Sequence, residues 1–138
     1  MRINYLKYRK PVISGLVIIF IGTFLVAWID LYKYFTHLDK IFHLSGGFVV
    51  AWFTSIYFNK EITQSSKFKK FIILTAAVCL VGVLWEFSEY ISSVYFSWLP
   101  GLIKYVYIGD LKDTLGDLSA DIAGGFILVL VEFLRLRK

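Results

Sequence analysis

Four long apolar runs, separated by polar, charged or Pro/Gly-containing stretches, limit how this chain can fold. They cover residues 12–29, 41–58, 71–91 and 115–133. Each run is about as long as a helix that crosses the hydrocarbon core of a bilayer, and the mean hydropathy of the chain is +0.69. The pattern predicts an all-α, polytopic membrane protein in which a bundle of four transmembrane helices forms a single integral membrane domain over residues 1–138.

The charged residues predict an orientation for this bundle. If the N-terminus is cytoplasmic, eleven of the 15 Lys and Arg residues fall on the inner side, which is the positive-inside pattern. Most of the acids fall toward the outer end. We therefore expect a multi-pass protein of the plasma membrane with both termini in the cytoplasm. The net charge of +5 then reflects topology and contacts with lipid head groups rather than a nucleic-acid partner. Four short helices bury little surface, which leaves homo-oligomerisation open.

The last apolar run carries a row of acids. Asp110, Asp113, Asp117 and Asp121 are spaced three, four and four residues apart, so they share one face of a helix. Asp110 can be explained as an N-cap, and Asp113 lies in a first turn that favours negative charge. Asp117 and Asp121 are too far into the helix for capping. Because a carboxylate inside a bilayer is costly, these two indicate a functional site.

Other polar residues lie at a similar depth. Counting at about 1.5 Å per residue from the inner end of each run places His43, Glu86, Asp117 and Asp121 at ~21–27 Å across a core of roughly 30 Å. By the same count Asp39, Glu89 and Asp113 form an outer rim. The sequence thus predicts an enclosed His/carboxylate site just inside the outer leaflet.

Two chemistries suit one imidazole among several carboxylates. One is a single divalent cation, Mg²⁺, Mn²⁺, Ca²⁺ or Zn²⁺, held by oxygen-rich ligands. The predicted ligands are His43, Glu86, Asp113, Asp117 and Asp121. The other is a metal-free cluster that shares protons and acts in acid–base chemistry. The predicted catalytic groups are Glu86, Asp117 and His43. A purely structural His43, hydrogen-bonded to one of the acids, also fits the sequence.

The stretch at residues 92–108 is aromatic and is broken at Pro100–Gly101. It is too broken to span a bilayer, so we predict an interfacial segment between the third and fourth helices. Its aromatic residues suit either a belt at the membrane interface or a re-entrant lid over the acidic layer.

Three polar motifs carry a resemblance to known proteins. They are Asp39-Lys40-x-x-His43, Trp85-Glu86-x-x-Glu89 and Gly109-Asp110-x-x-Asp113-Thr114-x-x-Asp117. In this order they are similar to the small bacterial membrane proteins of the YjdF type and, more distantly, to the VanZ-like family associated with glycopeptide resistance. The resemblance implies a helical membrane domain with a polar centre, and it supplies no reaction.

From these observations we expect a site that binds or acts on a lipid or a lipid-linked precursor of the cell envelope. Membrane lipids are the expected partners. Two alternatives remain open at this level: proton- or cation-coupled transport through the acidic layer, and a non-catalytic role in structure or assembly. The sequence does not decide whether the protein is an enzyme.

Overall fold

The structure is a computed structural model, and it describes residues 5–25, 29, 34–35, 37–95, 98 and 110–135. Within these ranges the elements are helical and no strand occurs, as the sequence predicted. A 3₁₀ turn at Tyr5–Tyr8 leads into α1 (Arg9–Ile19), which continues as a π-helical segment, Phe20–Leu25. The other helices are α2 (Leu38–Tyr57), the short α3 (Asn59–Thr63), α4 (Lys67–Tyr95) and α5 (Leu111–Arg135).

The long helices begin earlier than the apolar runs that predicted them. α2 begins at Leu38 and α5 at Leu111, because the helical hydrogen bonds extend into polar turns that a hydropathy pattern does not register. α5 has a capped start: the Asp110 carboxylate accepts a hydrogen bond from the Asp113 backbone N–H at 2.9 Å. Asp110 is therefore a structural cap, which is the explanation that its position in the sequence offered.

The predicted interfacial segment is only partly visible. Its first residues, 92–95, continue α4 as helix, so this helix runs four residues past the end of its apolar run at residue 91. The Trp98 indole donates a hydrogen bond to the Tyr95 carbonyl at 3.0 Å. Residues 96–97 and 99–109 lie outside the described residues, and the prediction of a belt or lid stays untested there.

Close contact between α2 and α5 forms the centre of the fold. A Cβ atom added at Gly47 would overlap the backbone of Asp121, and one added at Gly124 would overlap the backbone of Leu44 and Phe48. The two helix backbones therefore touch, as in membrane helices that pack through small residues. Lys40 contacts Asp113 at one end of this pair and Ala51 packs with Leu128 farther along, so α2 and α5 run in the same direction.

The two remaining long helices pack against this pair in the opposite direction. On α4, Val78 packs with Ala51 and Leu128 in one core cluster, while Leu74 packs with Ile62 and Val129 in a second. α1 approaches α2 where Gly15 faces Val49, and Gly22 faces the ring of Phe42. As a result, the N-terminal ends of α2 and α5 meet the C-terminal end of α4 at one end of the molecule.

The opposite end of the molecule carries basic residues. Lys60, Lys67, Lys69 and Lys70 lie on α3 and at the start of α4. Lys70 forms an ion pair with Glu132 of α5. The molecule is therefore electrically polarised, with the acids gathered at the other end, as the sequence predicted.

One described helix, α4, is long and apolar enough to cross a bilayer by its length and composition. Much of its apolar surface faces outward: Leu80 and Leu84, for example, are 62% and 58% exposed. Large exposed apolar side chains of this kind are typical of a surface in contact with lipid or a partner. A crossing by all four predicted spans stays a prediction.

Candidate functional site

The acidic end brings together charged residues from three helices. Their polar side chains are buried or half-buried: the Asp117 side chain is 4% exposed, and the His43 side chain is 6% exposed. α2 contributes Asp39, Lys40 and His43, α4 contributes Glu86 and Glu89, and α5 contributes Asp113, Asp117 and Asp121. Residues that sequence counting placed at one depth therefore lie in one cluster.

Lys40 reaches into this cluster. Its Nζ lies 2.5 Å from Asp113 Oδ1 and 2.6 Å from Asp117 Oδ1, and it also donates a hydrogen bond to the Asp113 carbonyl at 3.2 Å. Asp39 Oδ2 is 3.8 Å from the same nitrogen. Charge-assisted hydrogen bonds of this length are strong ones. Lys40 thus holds the start of α2 to the start of α5.

This role was not predicted from the sequence, which placed Lys40 among the charges on the outer side and gave it no function in the site. The available signal was its place in the first turn of α2, three residues before His43 and on the same helix face. In the structure, Asp113 binds Lys40, whereas the described contacts of His43 are with other acids.

His43 has different partners at its two ring nitrogens. Nδ1 lies 3.2 Å from Asp121 Oδ2, which is hydrogen-bonding distance. Nε2 lies 3.7 Å from Glu86 Oε1 and 3.7 Å from Asp117 Oδ1, which is too long for a hydrogen bond. The Asp121 carboxylate fixes the orientation of the ring, and Nε2 is directed toward two carboxylates.

The spacing around Nε2 suits ligands of a shared ion. Two ligands each ~2.1 Å from one cation lie roughly 3.0–3.4 Å apart, and the ~2.4 Å bonds of Ca²⁺ allow more. In addition, Glu86 Oε1 is buried and has no hydrogen-bond partner among the described residues. In protein metal sites, a carboxylate commonly accepts a hydrogen bond from one imidazole nitrogen and so directs the other nitrogen toward the metal ion.

Two overlapping groups of residues have ligand atoms within 4.8 Å of one another. They are Asp39, His43 and Asp117, and His43, Glu86 and Glu89. Both contain His43, so a single ion beside its Nε2 has a choice of carboxylates. A donor set of one nitrogen and several carboxylate oxygens suits Mg²⁺, Mn²⁺, Ca²⁺ or Zn²⁺.

Glycines allow these side chains to approach one another. A Cβ at Gly82 would lie 2.5 Å from the Asp121 carboxylate, and one at Gly116 would lie 3.1 Å from Lys40 Cε. Larger residues at either position would displace the charged groups. The site therefore depends on backbone contact between α2, α4 and α5 as much as on its charged residues.

The outer rim of the cluster is fixed by an aromatic residue. The Trp85 indole donates a hydrogen bond to Glu89 Oε1 at 2.9 Å. His37, at the start of α2, is exposed, which agrees with a surface position. At the rim, Trp85 therefore holds the Glu89 carboxylate, while the His43 and Asp117 side chains at the centre are buried.

A cavity of about 170 Å³ leads away from the cluster between α1, α2 and α4. Its walls are mainly apolar, and one end is formed by Asp39, His43, Glu89 and Asp121. A second cavity, of about 270 Å³, lies at the basic end beside Lys70 and Glu132.

Comparison with known proteins identifies a family. The model of a family described as "Predicted membrane protein (DUF2238)" matches residues 7–138, nearly the whole chain. No curated protein and no solved structure matches the chain.

Proposed function

The chain belongs to the DUF2238 family of predicted membrane proteins, and from this premise we propose that its acidic end is a membrane-embedded divalent-cation site that binds or acts on a lipid or lipid-linked envelope precursor. His43, Glu86 and Asp117 are the proposed ligands. Asp121 orients His43, and Asp113 holds Lys40. The proposal includes four membrane crossings, cytoplasmic termini, a site near the outer leaflet and kinship with the YjdF-type and VanZ-like proteins.

The geometry around His43 Nε2 carries this proposal. Nε2 of His43, whose ring is oriented by Asp121, lies 3.7 Å from a buried Glu86 oxygen. Within the part of the chain that the structure describes, this oxygen has no hydrogen-bond partner. A buried carboxylate oxygen without a partner is unfavourable unless a proton or a cation compensates it. A divalent ion beside the imidazole would compensate this oxygen. The ligand atoms within 4.8 Å of one another group Glu86 with Glu89 and Asp117 with Asp39 around His43, so one ion that binds both Glu86 and Asp117 would draw their side chains together.

A bound cation would supply Lewis-acid chemistry, since it polarises a phosphoryl or carbonyl oxygen and activates water as a nucleophile. In this proposal, a carboxylate oxygen of Glu86 or Asp117 that does not ligate the cation accepts the proton of an attacking water. The apolar surroundings exclude bulk water and strengthen these interactions. Hydrolysis of a lipid-linked phosphate or ester is the reaction that suits this arrangement.

A lipid is the favoured ligand because the site lies at one end of a chain whose outer surface is apolar. Transport is less well supported. Between the two cavities of the described bundle lies the apolar cluster of Ala51, Val78 and Leu128, which offers no polar path for an ion.

Elemental analysis of metal in protein purified in mild detergent without chelator tests the proposal. We expect about one divalent ion per chain in the wild type and a loss of that ion in Glu86→Gln and Asp117→Asn. Glu61→Gln is the matched control, because Glu61 is an exposed carboxylate at the basic end. Each variant neutralises one acid with little change in shape.

Metal binding alone does not establish a lipid substrate, so the same samples are then assayed for hydrolysis of a prenyl diphosphate and of a monoacyl ester. Activity that follows metal content across the four proteins supports the enzyme interpretation. A wild type that binds no Mg²⁺, Mn²⁺, Ca²⁺ or Zn²⁺ on titration would refute the metal site.

A further inference from the structure

The cavity beside His43 has a shape and lining suited to a hydrocarbon chain. Its walls include Ile18, Ile19, Val49, Val50, Val78 and Val81. Gly15, Gly22 and Gly46 also line it, and their lack of side chains keeps it open between α1 and α2. The polar residues of its lining lie at the acidic end and the apolar ones lie farther along α1, α2 and α4, which suits a molecule that is polar at one end.

The volume limits how much of a chain is enclosed. An apolar protein cavity of about 150 Å³ holds a molecule of the size of benzene, which has six carbon atoms. The cavity of about 170 Å³ therefore encloses six or seven carbons. Longer chains would leave it between the helices and continue in the surrounding lipid.

The charges at the polar end select the head group. The residues that line this end are three carboxylates, Asp39, Glu89 and Asp121, and one imidazole, His43, and the described lining contains no Lys or Arg. Lys40 faces Asp113 and Asp117 instead. Electrostatic complementarity favours a cationic head group at such a surface and disfavours an anionic one. The indole of Trp85, also in the lining, adds a ring on which an ammonium group can rest.

We propose that this cavity binds the head-proximal hydrocarbon of a single-chain amphiphile, whose ammonium head group lies against Asp39 and Glu89. This inference goes beyond the proposed function, because its ligand is a cationic amphiphile and not the lipid-linked phosphate or ester proposed as substrate. It does not require the cation, whose proposed ligands are His43, Glu86 and Asp117, although Asp39 and Glu89 are also close enough to His43 to ligate an ion there.

Gly46 provides a direct test. It lines the cavity, yet a Cβ added there would meet no heavy atom within 4 Å. Gly46→Leu therefore extends a side chain into the cavity from a position where the Cβ meets no described atom, and Gly46→Ala is the matched control that leaves most of the space. Replacing a glycine within a helix also favours the helix, by about 1 kcal/mol for alanine, so neither variant is expected to unfold.

Native mass spectrometry of the protein with dodecylamine, dodecanol or dodecanoate compares three head groups on a hydrocarbon chain of the same length. We expect dodecylamine to bind at least tenfold more tightly than the other two. Gly46→Leu should lose at least tenfold in dodecylamine affinity, while Gly46→Ala should stay within about threefold of wild type. Glu89→Gln, which keeps the cavity and removes one charge, should weaken dodecylamine and leave dodecanol unchanged.

Equal binding of the three amphiphiles, or binding that is the same in Gly46→Leu as in wild type, would overturn the inference. Metal content is measured in the same Gly46→Leu sample. A sample that keeps its ion and loses dodecylamine supports the inference independently of the metal. Dodecylamine binding by a wild type without metal leaves the inference standing while the metal site fails.

Discussion

Replacement of Lys40 by methionine tests two effects of this lysine: its ion pair stabilises the fold, and its charge repels a cation at the proposed metal site. Lys40 Nζ is bound by Asp113 and Asp117, and the Asp117 side chain is 4% exposed. Methionine keeps an unbranched side chain of similar length and removes the charge. The variant therefore leaves a buried carboxylate without its cation, and it also removes a positive charge beside the proposed metal site.

Removing the ion pair lowers the stability of the fold, whereas removing the charge raises the affinity for a cation. Removing one partner of a fully buried ion pair costs about 3–5 kcal/mol of folding free energy. The Lys40 side chain is 29% exposed, so solvent screening reduces this to about 2 kcal/mol. For a cation ~5 Å from Nζ, the repulsion from Lys40 is about 3 kcal/mol per unit charge at an effective dielectric constant of ~20. Because Lys40 can turn toward solvent, we expect a smaller net gain in affinity of about 1.4 kcal/mol, or tenfold.

The assay combines thermal unfolding in detergent with Mn²⁺ titration, each on wild type, Lys40→Met and Lys112→Met. Lys112 is an exposed lysine in the first turn of α5 and serves as the matched control. We expect Lys40→Met to be less stable without metal, to bind Mn²⁺ more tightly, and to be stabilised more by it. Weaker Mn²⁺ binding in Lys40→Met, in a protein that still folds, would refute this reasoning, since it would show that the lysine supports the cation instead of competing with it.

Three further predictions concern the same end of the molecule. Gly47→Ala should destabilise the protein by about 3 kcal/mol or more, because its Cβ overlaps the Asp121 backbone, whereas Gly46→Ala should not, as chemical denaturation will show. Asp121→Asn should lower Mn²⁺ affinity by about 10–100-fold without loss of helicity, since it orients His43, and isothermal titration measures this. Chelation of an ion present at ~100 times its Kd should lower stability by about 2.7 kcal/mol, and a thermal scan with and without EDTA that shows no difference would contradict it.

Depth counting predicted the central residues of the site from the sequence. Straight helices rise by a constant ~1.5 Å per residue, so equal counts from the inner ends bring residues of different helices to one level. The structure brings His43 close to Glu86, Asp117 and Asp121, which are the residues that the count placed together. Whether these residues bind a cation stays a prediction.

Counting residues along each helix could not predict features that depend on how the helices pack against one another. Lysines near the ends of membrane helices commonly direct their charge outward to the interface, and by that rule Lys40 belongs to the solvent. The structure turns it inward because Asp113 and Asp117 arrive on the adjacent helix, which the sequence does not reveal. The cavity likewise depends on how α1 crosses α2 at Gly15 and Gly22, and the π-helical segment after α1 had no sequence signal.

The charge balance at this end of the molecule connects the two proposals. Six carboxylates converge there, and the only described cationic groups among them are Lys40 and, when protonated, His43. Four negative charges remain even then, in surroundings that disfavour unpaired charge. Lys40 is paired with Asp113 and Asp117 of α5, so the uncompensated negative charge lies nearer to Glu86 and the cavity. A divalent cation beside His43, whose imidazole is neutral when it binds the ion, and an ammonium group beside Glu89 would each reduce it, and together they would leave two negative charges. Occupation of either site should therefore weaken the other, because each removes part of the field that attracts its neighbour, and the affinity for dodecylamine should fall as Mn²⁺ binds.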